Sequence, residues 1–258
     1  MEAKHILIAL VALAFIETVI KASVVKRETT LSHVEAIYSR FKNIMPGVDG
    51  TYNGEYHSGG YCTLDPLPPM AIHSKEWIRV AAGPETYQKS LGCGMCLEIT
   101  AEGVGSGNDP IVGKIKAVIV DECAGGCGKN GLDFYLNGDG RWKISYVAID
   151  CPTKPGSDGK VQLRFQGSNA WYIKLQARNT KVPTAGIEVK VKDKWHCLKR
   201  KPDNYFVGTG LGEFSTPLHV RLTAITGEQV ETSIPEIKDN FSFPTSVQFK
   251  GINNGGSK

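Results

Sequence analysis

Two acids flank a glycine-rich loop in the stretch VDECAGGCGKNGLDFYL, residues 120–136. Asp121 closes the apolar run KAVIV, and Asp133 lies between Leu132 and Phe134. Paired carboxyls at strand ends are what general acid–base chemistry needs. The same acids can instead bond loop amides, the ordinary work of Asp in glycine-rich turns. The residues by themselves leave that choice open.

The loop also carries Cys123 and Cys127, and Cys93-Gly94-Met95-Cys96 precedes it. A structural zinc site needs four ligands, commonly a second CxxC or a His pair. Here the next cysteine pair has a three-residue spacing and no neighbouring His, so disulfides are expected and no metal or cofactor is. Six cysteines (Cys62, Cys93, Cys96, Cys123, Cys127, Cys151) fall before residue 152, and Cys197 stands apart. That placement implies a stapled first domain, each bridge adding about 2–4 kcal/mol. The second domain should then hold a buried thiol.

Disulfides are expected of an exported chain. Residues 1–22 read as a signal peptide: Lys4, the apolar run Ile6 to Ile16, then the small residues Ala22 and Ser23 at the cleavage site. Eleven apolar residues are too few for a membrane span. The mature protein is expected to be secreted, extracellular and monomeric, with no membrane partner. Lys26-Arg27 is a dibasic pair in a polar linker, where such pairs usually mean nothing.

These residues need a scaffold. The chain has 258 residues, which suggests two domains. Residues 23–47 read as a linker with a helical turn or two, and 48–152 as an all-β domain with strand-like runs CLEITA, GKIKAVIVD and WKISYVAI. A Pro/Gly/Ser hinge fills 153–160 and limits the orientations of what it joins. Residues 161–250 hold strand candidates at the spacing of a β-sandwich (VQLRF, WYIKLQAR, GIEVKVK, KWHCLK, YFVGT, LHVRLTAI, QVETSI, SVQF), and 251–258 form a tail. GTGLG (208–212) lacks the helix and lysine of a phosphate loop and reads as a hairpin turn. Asn240-Phe241-Ser242 is a glycosylation sequon.

Charge is lopsided. From Lys160 onward there are 15 Lys/Arg against 8 Asp/Glu, while the chain as a whole is +4. A basic second domain is drawn to acidic polysaccharide, and nucleic acid is excluded as a partner of an exported chain. Rings in that domain could stack on sugar faces, at about 2 kcal/mol per ring before association costs. Strand alternation in WYIKLQAR turns Tyr172 outward and Trp171 inward, and places Asp203 and Tyr205 on one face.

The stretches GTYNGEYHSGGYC, LDPLP, GCGMCLEI, VIVDEC, GLDF, SNAWYIKLQARN, DNYFV, LHVRLTAITGEQV and SVQF together resemble an expansin. The resemblance runs from about Gly50 to Phe249, with the bacterial two-domain pattern and plant-like cysteines. It implies an all-β fold: a six-stranded double-psi β-barrel related to family-45 endoglucanases, then an immunoglobulin-like β-sandwich. It implies a secreted protein that binds cellulose or another β-1,4-glucan and loosens walls without hydrolysis. Thr51, Tyr52, Asp121 and Asp133 match the groove residues; Trp171 and Tyr172 match the binding aromatics, against the alternation argument for Trp171. The cysteine pattern implies Cys62–Cys93, Cys96–Cys151 and Cys123–Cys127. There are departures. Bacterial members have a Tyr where this chain has Cys123. Their third aromatic falls at Asp203, with Tyr205 as the expected substitute, and Leu132 replaces the His of the plant His-Phe-Asp motif. Glu55, four residues after Thr51, falls near the position of the endoglucanase base. A weak endoglucanase (Asp133 acid, Glu55 or Asp121 base) and a non-catalytic cellulose-binding coat protein are the alternatives.

Overall fold

The computed structural model describes residues 34–55, 60–65, 77–153 and 159–252. The leader expected over 1–22, Lys26-Arg27, most of the 153–160 hinge and the last six residues lie outside them. The fold is all-β.

Six strands close a barrel: β1 (Met45–Tyr52), β2 (Trp77–Ala82), β3 (Cys96–Ser106), β4 (Val112–Glu122), β5 (Leu132–Phe134) and β6 (Arg141–Ile149). Their order is β1-β5-β2-β4-β3-β6. The pairs β1–β5 and β2–β4 are parallel and the others antiparallel, the mixed closure of a double-psi barrel. Alternation fills it: in β6, Trp142, Ile144, Tyr146 and Ala148 are buried while Arg141 and Lys143 are exposed. The run Ala117 to Val120 in β4 is buried throughout, as expected of a strand packed on both faces.

A sandwich follows. One sheet has the order β10-β9-β13-β14 and the other β11-β12-β8-β7-β15. The strands are β7 (Gln162–Phe165), β8 (Tyr172–Arg178), β9 (Thr184–Val191), β10 (Lys194–Cys197), β11 (Lys199–Arg200), β12 (Phe206–Thr209), β13 (Leu218–Ala224), β14 (Gln229–Ile234) and β15 (Ser242–Pro244). The core between the sheets takes Leu163, Phe165, Ile173 and Leu175 from one and Ile187, Val189, Val220 and Leu222 from the other.

Several sequence expectations need correction. The segment read as a linker contains a helix over 34–42, whose Ile37 and Phe41 are buried in the barrel core. Arg40 on that helix donates to Glu85 and Asn130. SVQF is not a strand, and β15 lies just before it, hidden from the sequence by Pro244. GTGLG makes no hairpin: it leads from β12 in one sheet to β13 in the other. Cys197 is exposed, not buried. β10 is an edge strand, so its side chains are not covered by a neighbour on one side. The thiol of Cys197 lies 3.7 Å from a Glu188 carboxylate oxygen.

The disulfides are Cys62–Cys93, Cys96–Cys151 and Cys123–Cys127. Cys93 and Cys96 thus go to different partners, and neither is a thiolate ligand.

Barrel and sandwich meet through a dense set of polar contacts. The Tyr87 hydroxyl donates to Pro202 O at 2.6 Å and Ser90 Oγ to Lys201 O at 2.8 Å. Arg178 donates to Asp65 O and Thr63 O, and Gln176 Nε2 to Cys62 O. Arg200 donates across the junction to Ser90 O, and within the sandwich to Thr184 O. Burial pushes its guanidinium down to about 10. Each bond adds about 0.5–1.5 kcal/mol net, and leaving one of these buried groups unpaired costs more.

Candidate functional site

Strand register assembles the site. Thr51 on β1 faces Asp133 on β5, Asp133 faces Ala81 on β2, and Ala81 faces Asp121 on β4. Directly opposed residues share a face, so the four form one row across four strands. The register of β4 shifts between Val80 and Ala81, skipping Val120. Without that bulge Val120, not Asp121, would oppose Ala81. Ala81 keeps the space between the two acids small and apolar. Two strand spacings put their backbones about 10 Å apart.

Bonding distinguishes the two carboxylates. Asp121 Oδ1 accepts from the Tyr61 and Glu122 amides at 2.7 and 2.8 Å, and its Oδ2 accepts from the Tyr135 hydroxyl at 2.5 Å. Three of a carboxylate's roughly four acceptor positions are therefore taken. Asp133 accepts one bond, from Thr51 Oγ1 at 2.6 Å, and among the described residues has no other. It is half-buried between the buried Leu132 and Phe134. Asp121 ties the 60–63 turn to the end of β4, while Asp133 presents an oxygen with no partner among the described residues.

The surrounding loops are fixed by close backbone approach. A Cβ on Gly60 would lie 2.4 Å from Val120 O and 2.7 Å from Asp121 Cβ, so the turn reaches the acid only with glycine there. A Cβ on Gly131 would lie 1.8 Å from Cys127 O, where the disulfide-closed loop returns to β5. Tyr52 lies beside Phe134 with centroids 6.3 Å apart and donates to Asp109 O at 2.7 Å. Burial raises its hydroxyl pKa, and the Asp109 charge raises it further.

Sequence reasoning missed Tyr135 and Arg79. Arg79 was findable by alternation, two residues before Ala81 on β2, whereas Tyr135 lies just past the end of β5. The Tyr135 amide donates to Arg79 O at 3.0 Å, which makes them the next row of the same face. The Arg79 guanidinium lies 5.9 Å from the Tyr135 ring. Burial lowers its pKa, while Tyr135, Asp65 and Glu55 act in the opposite direction. Glu55 is exposed, and its charge is felt at Arg79. Tyr135 supplies Asp121 with a phenol hydroxyl.

In the sandwich, Trp171 is 61% exposed and Tyr172 half-buried. The alternation argument fails for Trp171 because β8 starts at Tyr172. Asn169 Oδ1 accepts from the amides of both Trp171 and Tyr172, closing a turn that carries the indole outward. Tyr205 is a correction: it is 1% exposed and offers no face to a ligand. Asn204 has φ +63°, which breaks the alternation between Asp203 and Tyr205. Asp203 pairs with Lys174 at 2.8 Å, and Lys174 Nζ lies 4.6 Å from the Tyr205 ring centroid. Asn240 is exposed, at φ +55° just before β15.

A closed double-psi barrel with an acid row, followed by a sandwich that displays aromatic rings, defines an expansin-type architecture. No family model matches the chain. Expansin-YoaJ of Bacillus subtilis (strain 168) is 28% identical over 214 residues, covering 77% of this chain and 84% of its own. Expansin-like protein 1 of Dictyostelium discoideum is 24% identical over 230 residues, covering 81% and 73%. The structure of apo-Clavibacter michiganensis expansin superposes with a TM-score of 0.65 at 22% identity, covering 81% of this chain and all of that one. A mutant of the Clavibacter protein in complex with cellohexaose gives 0.64 over the same shares. The chain is expansin-like in sequence and in fold.

Proposed function

We propose that this protein is secreted, binds cellulose or a related β-1,4-glucan, and loosens it without cutting the chain. The observation that carries this reading is the inequality between the two acids. Inverting hydrolysis needs an acid and a base that can activate water. Asp121 lies in the same row as Asp133, but its oxygens are committed to Tyr61, Glu122 and Tyr135. Glu55 is exposed near Arg79. That leaves Asp133 as a lone acceptor oriented by Thr51.

An acceptor of this kind can take a hydrogen bond from a sugar hydroxyl. Chains in a glucan assembly are held by such hydroxyl bonds, each worth about 0.5–1.5 kcal/mol net. A charge-assisted bond to a carboxylate is stronger and competes with them. Thr51, Tyr52, Asp121 and Asp133 make the groove, and Trp171 and Tyr172 hold the protein on its substrate. The relatives support this reading: they are expansins, and a structural neighbour was solved with cellohexaose. The positive charge from Lys160 onward would add attraction to acidic polysaccharide.

One paired assay tests it. Reducing-sugar release from soluble β-1,4-glucan and weakening of cellulose sheets are measured for wild type and Asp133→Asn. The expected result is weakening without sugar, lost in the variant. Sugar release that disappears in Asp133→Asn would establish a weak endoglucanase instead. Tight retention on cellulose with neither activity would establish a coat protein.

A further inference from the structure

Tyr61 is a ring that neither the alternation patterns nor the resemblance singles out, and it is 51% exposed at the junction of barrel and sandwich. Its position is rigidly set. The 60–63 turn is closed by the Thr63 amide on Gly60 O at 3.0 Å, and Gly60 and Thr63 both have positive φ. The neighbouring Cys62 is fully buried, bridged to Cys93, donates its amide to Val120 O and accepts Gln176 Nε2 from the sandwich. Tyr61's own amide is held by Asp121. Two residues on, Thr63 Oγ1 donates to Asp203 O at 2.6 Å. One turn thus links the barrel acid to the sandwich residue that pairs with Lys174.

The Tyr61 ring is backed by Tyr87, with centroids 6.4 Å apart and planes 32° from parallel. The Tyr87 hydroxyl is raised by burial, then by Glu122, Asp121, Tyr61 and Asp203 in turn, so charges from both sides surround one buried phenol. The ring that sequence reasoning expected near this junction, Tyr205, is buried, and Asp203 is in an ion pair there. The exposed ring comes from the barrel instead. A ring held in place before binding loses little freedom on contact, so more of its stacking energy remains as affinity.

Building on the glucan-binding reading, we propose that Tyr61 is a stacking subsite between the acid row and the Trp171 platform. A single β-1,4-glucan chain would lie on both, with one sugar ring against Tyr61. Affinity should then grow with chain length, because only a long oligosaccharide reaches the groove, the junction and the platform together.

The test is titration calorimetry with cellohexaose and cellotriose on wild type, Tyr61→Ala, Tyr61→Phe and Trp171→Ala. Wild type should prefer cellohexaose. Tyr61→Ala should lose about tenfold in cellohexaose affinity, by analogy with the stacking of other flat ligands on aromatic side chains. Its cellotriose affinity should change less than twofold, and Tyr61→Phe should bind like wild type. As a check independent of folding in the variant, the Tyr61 amide resonance of wild type should shift on adding cellohexaose. Wild-type affinity in Tyr61→Ala alongside a loss in Trp171→Ala, or an unmoved Tyr61 resonance in a binding-competent wild type, overturns the subsite alone. No binding of either sugar by wild type overturns the glucan reading and the subsite with it.

Discussion

In the barrel, Thr51, Asp133, Ala81 and Asp121 lie in a row dictated by hydrogen-bonded register. In the sandwich, Trp171 and Asp203 sit on turns, at the ends of strands. The first arrangement is rigid because four strands would have to slip to disturb it. The second depends on a few side-chain caps, chiefly Asn169, and on one left-handed residue, Asn204. The difference separates two tasks. Hydrogen bonding to one hydroxyl needs an acceptor placed to a fraction of an ångström, whereas stacking on a sugar face tolerates small shifts in a ring.

The largest effect should come from the acid whose oxygens are already bonded within the fold. Asp121→Asn keeps the shape but weakens three bonds at once, those from Tyr61, Glu122 and Tyr135. A loss of about 2 kcal/mol is expected, or roughly 4–8 °C in Tm. Asp133→Asn, which has one such bond, should lose less than about 1 kcal/mol while abolishing sheet weakening. Equal losses of stability in calorimetry would remove the distinction between an anchoring and a presenting carboxylate.

Next in size is Trp171→Ala. The exposed indole should contribute about 2 kcal/mol, so retention on insoluble cellulose should fall about thirtyfold with Tm unchanged. Pull-down isotherms that do not move would show the platform lies elsewhere. Asn169→Ala removes the acceptor that holds the Trp171 and Tyr172 amides. A turn cap of this kind is worth about 1 kcal/mol. Retention should fall a few-fold, less than for Trp171→Ala, because the ring remains and only its orientation is lost.

The same contrast decides what could be read from the sequence. The barrel's strands β3, β4 and β6 are long, apolar and alternating, and they stand out. Asp121 and Asp133 also stand out, because acids beside buried residues at strand ends are unusual. That they share a row could not be read. It depends on β5, three residues long, pairing with β1 and β2, and on a bulge at Val120, both non-local. Helix 34–42 was underrated for a similar reason: its apolar residues Ile37 and Phe41 need the barrel to be buried against. In the sandwich, the sheets were legible from strand spacing. Alternation fails at Trp171 and Tyr205 for one cause, since period-2 reasoning stops where a strand ends, whereas Cys197 is exposed because β10 is an edge strand. Tyr61 had no local signal at all, being one tyrosine in a glycine-rich turn.

The smallest expected effect concerns how the barrel row is braced. Asp49 precedes the Gly50-Thr51 step of β1 and is bonded by Lys143 at 2.5 Å and Arg141 at 2.8 Å on β6. Arg141 also donates to Gly126 O, inside the disulfide-closed loop. The Lys143 hydrogen bond, partly offset by burial and aided by Arg141, holds the Asp49 carboxyl below its ordinary 3.8. A carboxyl whose pKa is lower in the folded state stabilises the fold above its unfolded value and loses that contribution as pH falls through the folded one. The brace should therefore be fully present at pH 6 and fade progressively as pH falls below the ordinary carboxylate range. Its partners are exposed, so its size should be under about 1 kcal/mol. Asp49→Asn should lower Tm by a degree or two at pH 6, the gap should narrow progressively as pH falls below the ordinary carboxylate range, and 1 M salt at pH 6 should shrink it as well. A gap that persisted in acid would assign the effect to packing at β1–β6, not to charge. The sandwich turn at Asn169 has no titrating group in its cap, so an Asn169→Ala deficit in retention should keep its size between pH 6 and the lowest pH at which the barrel stays folded.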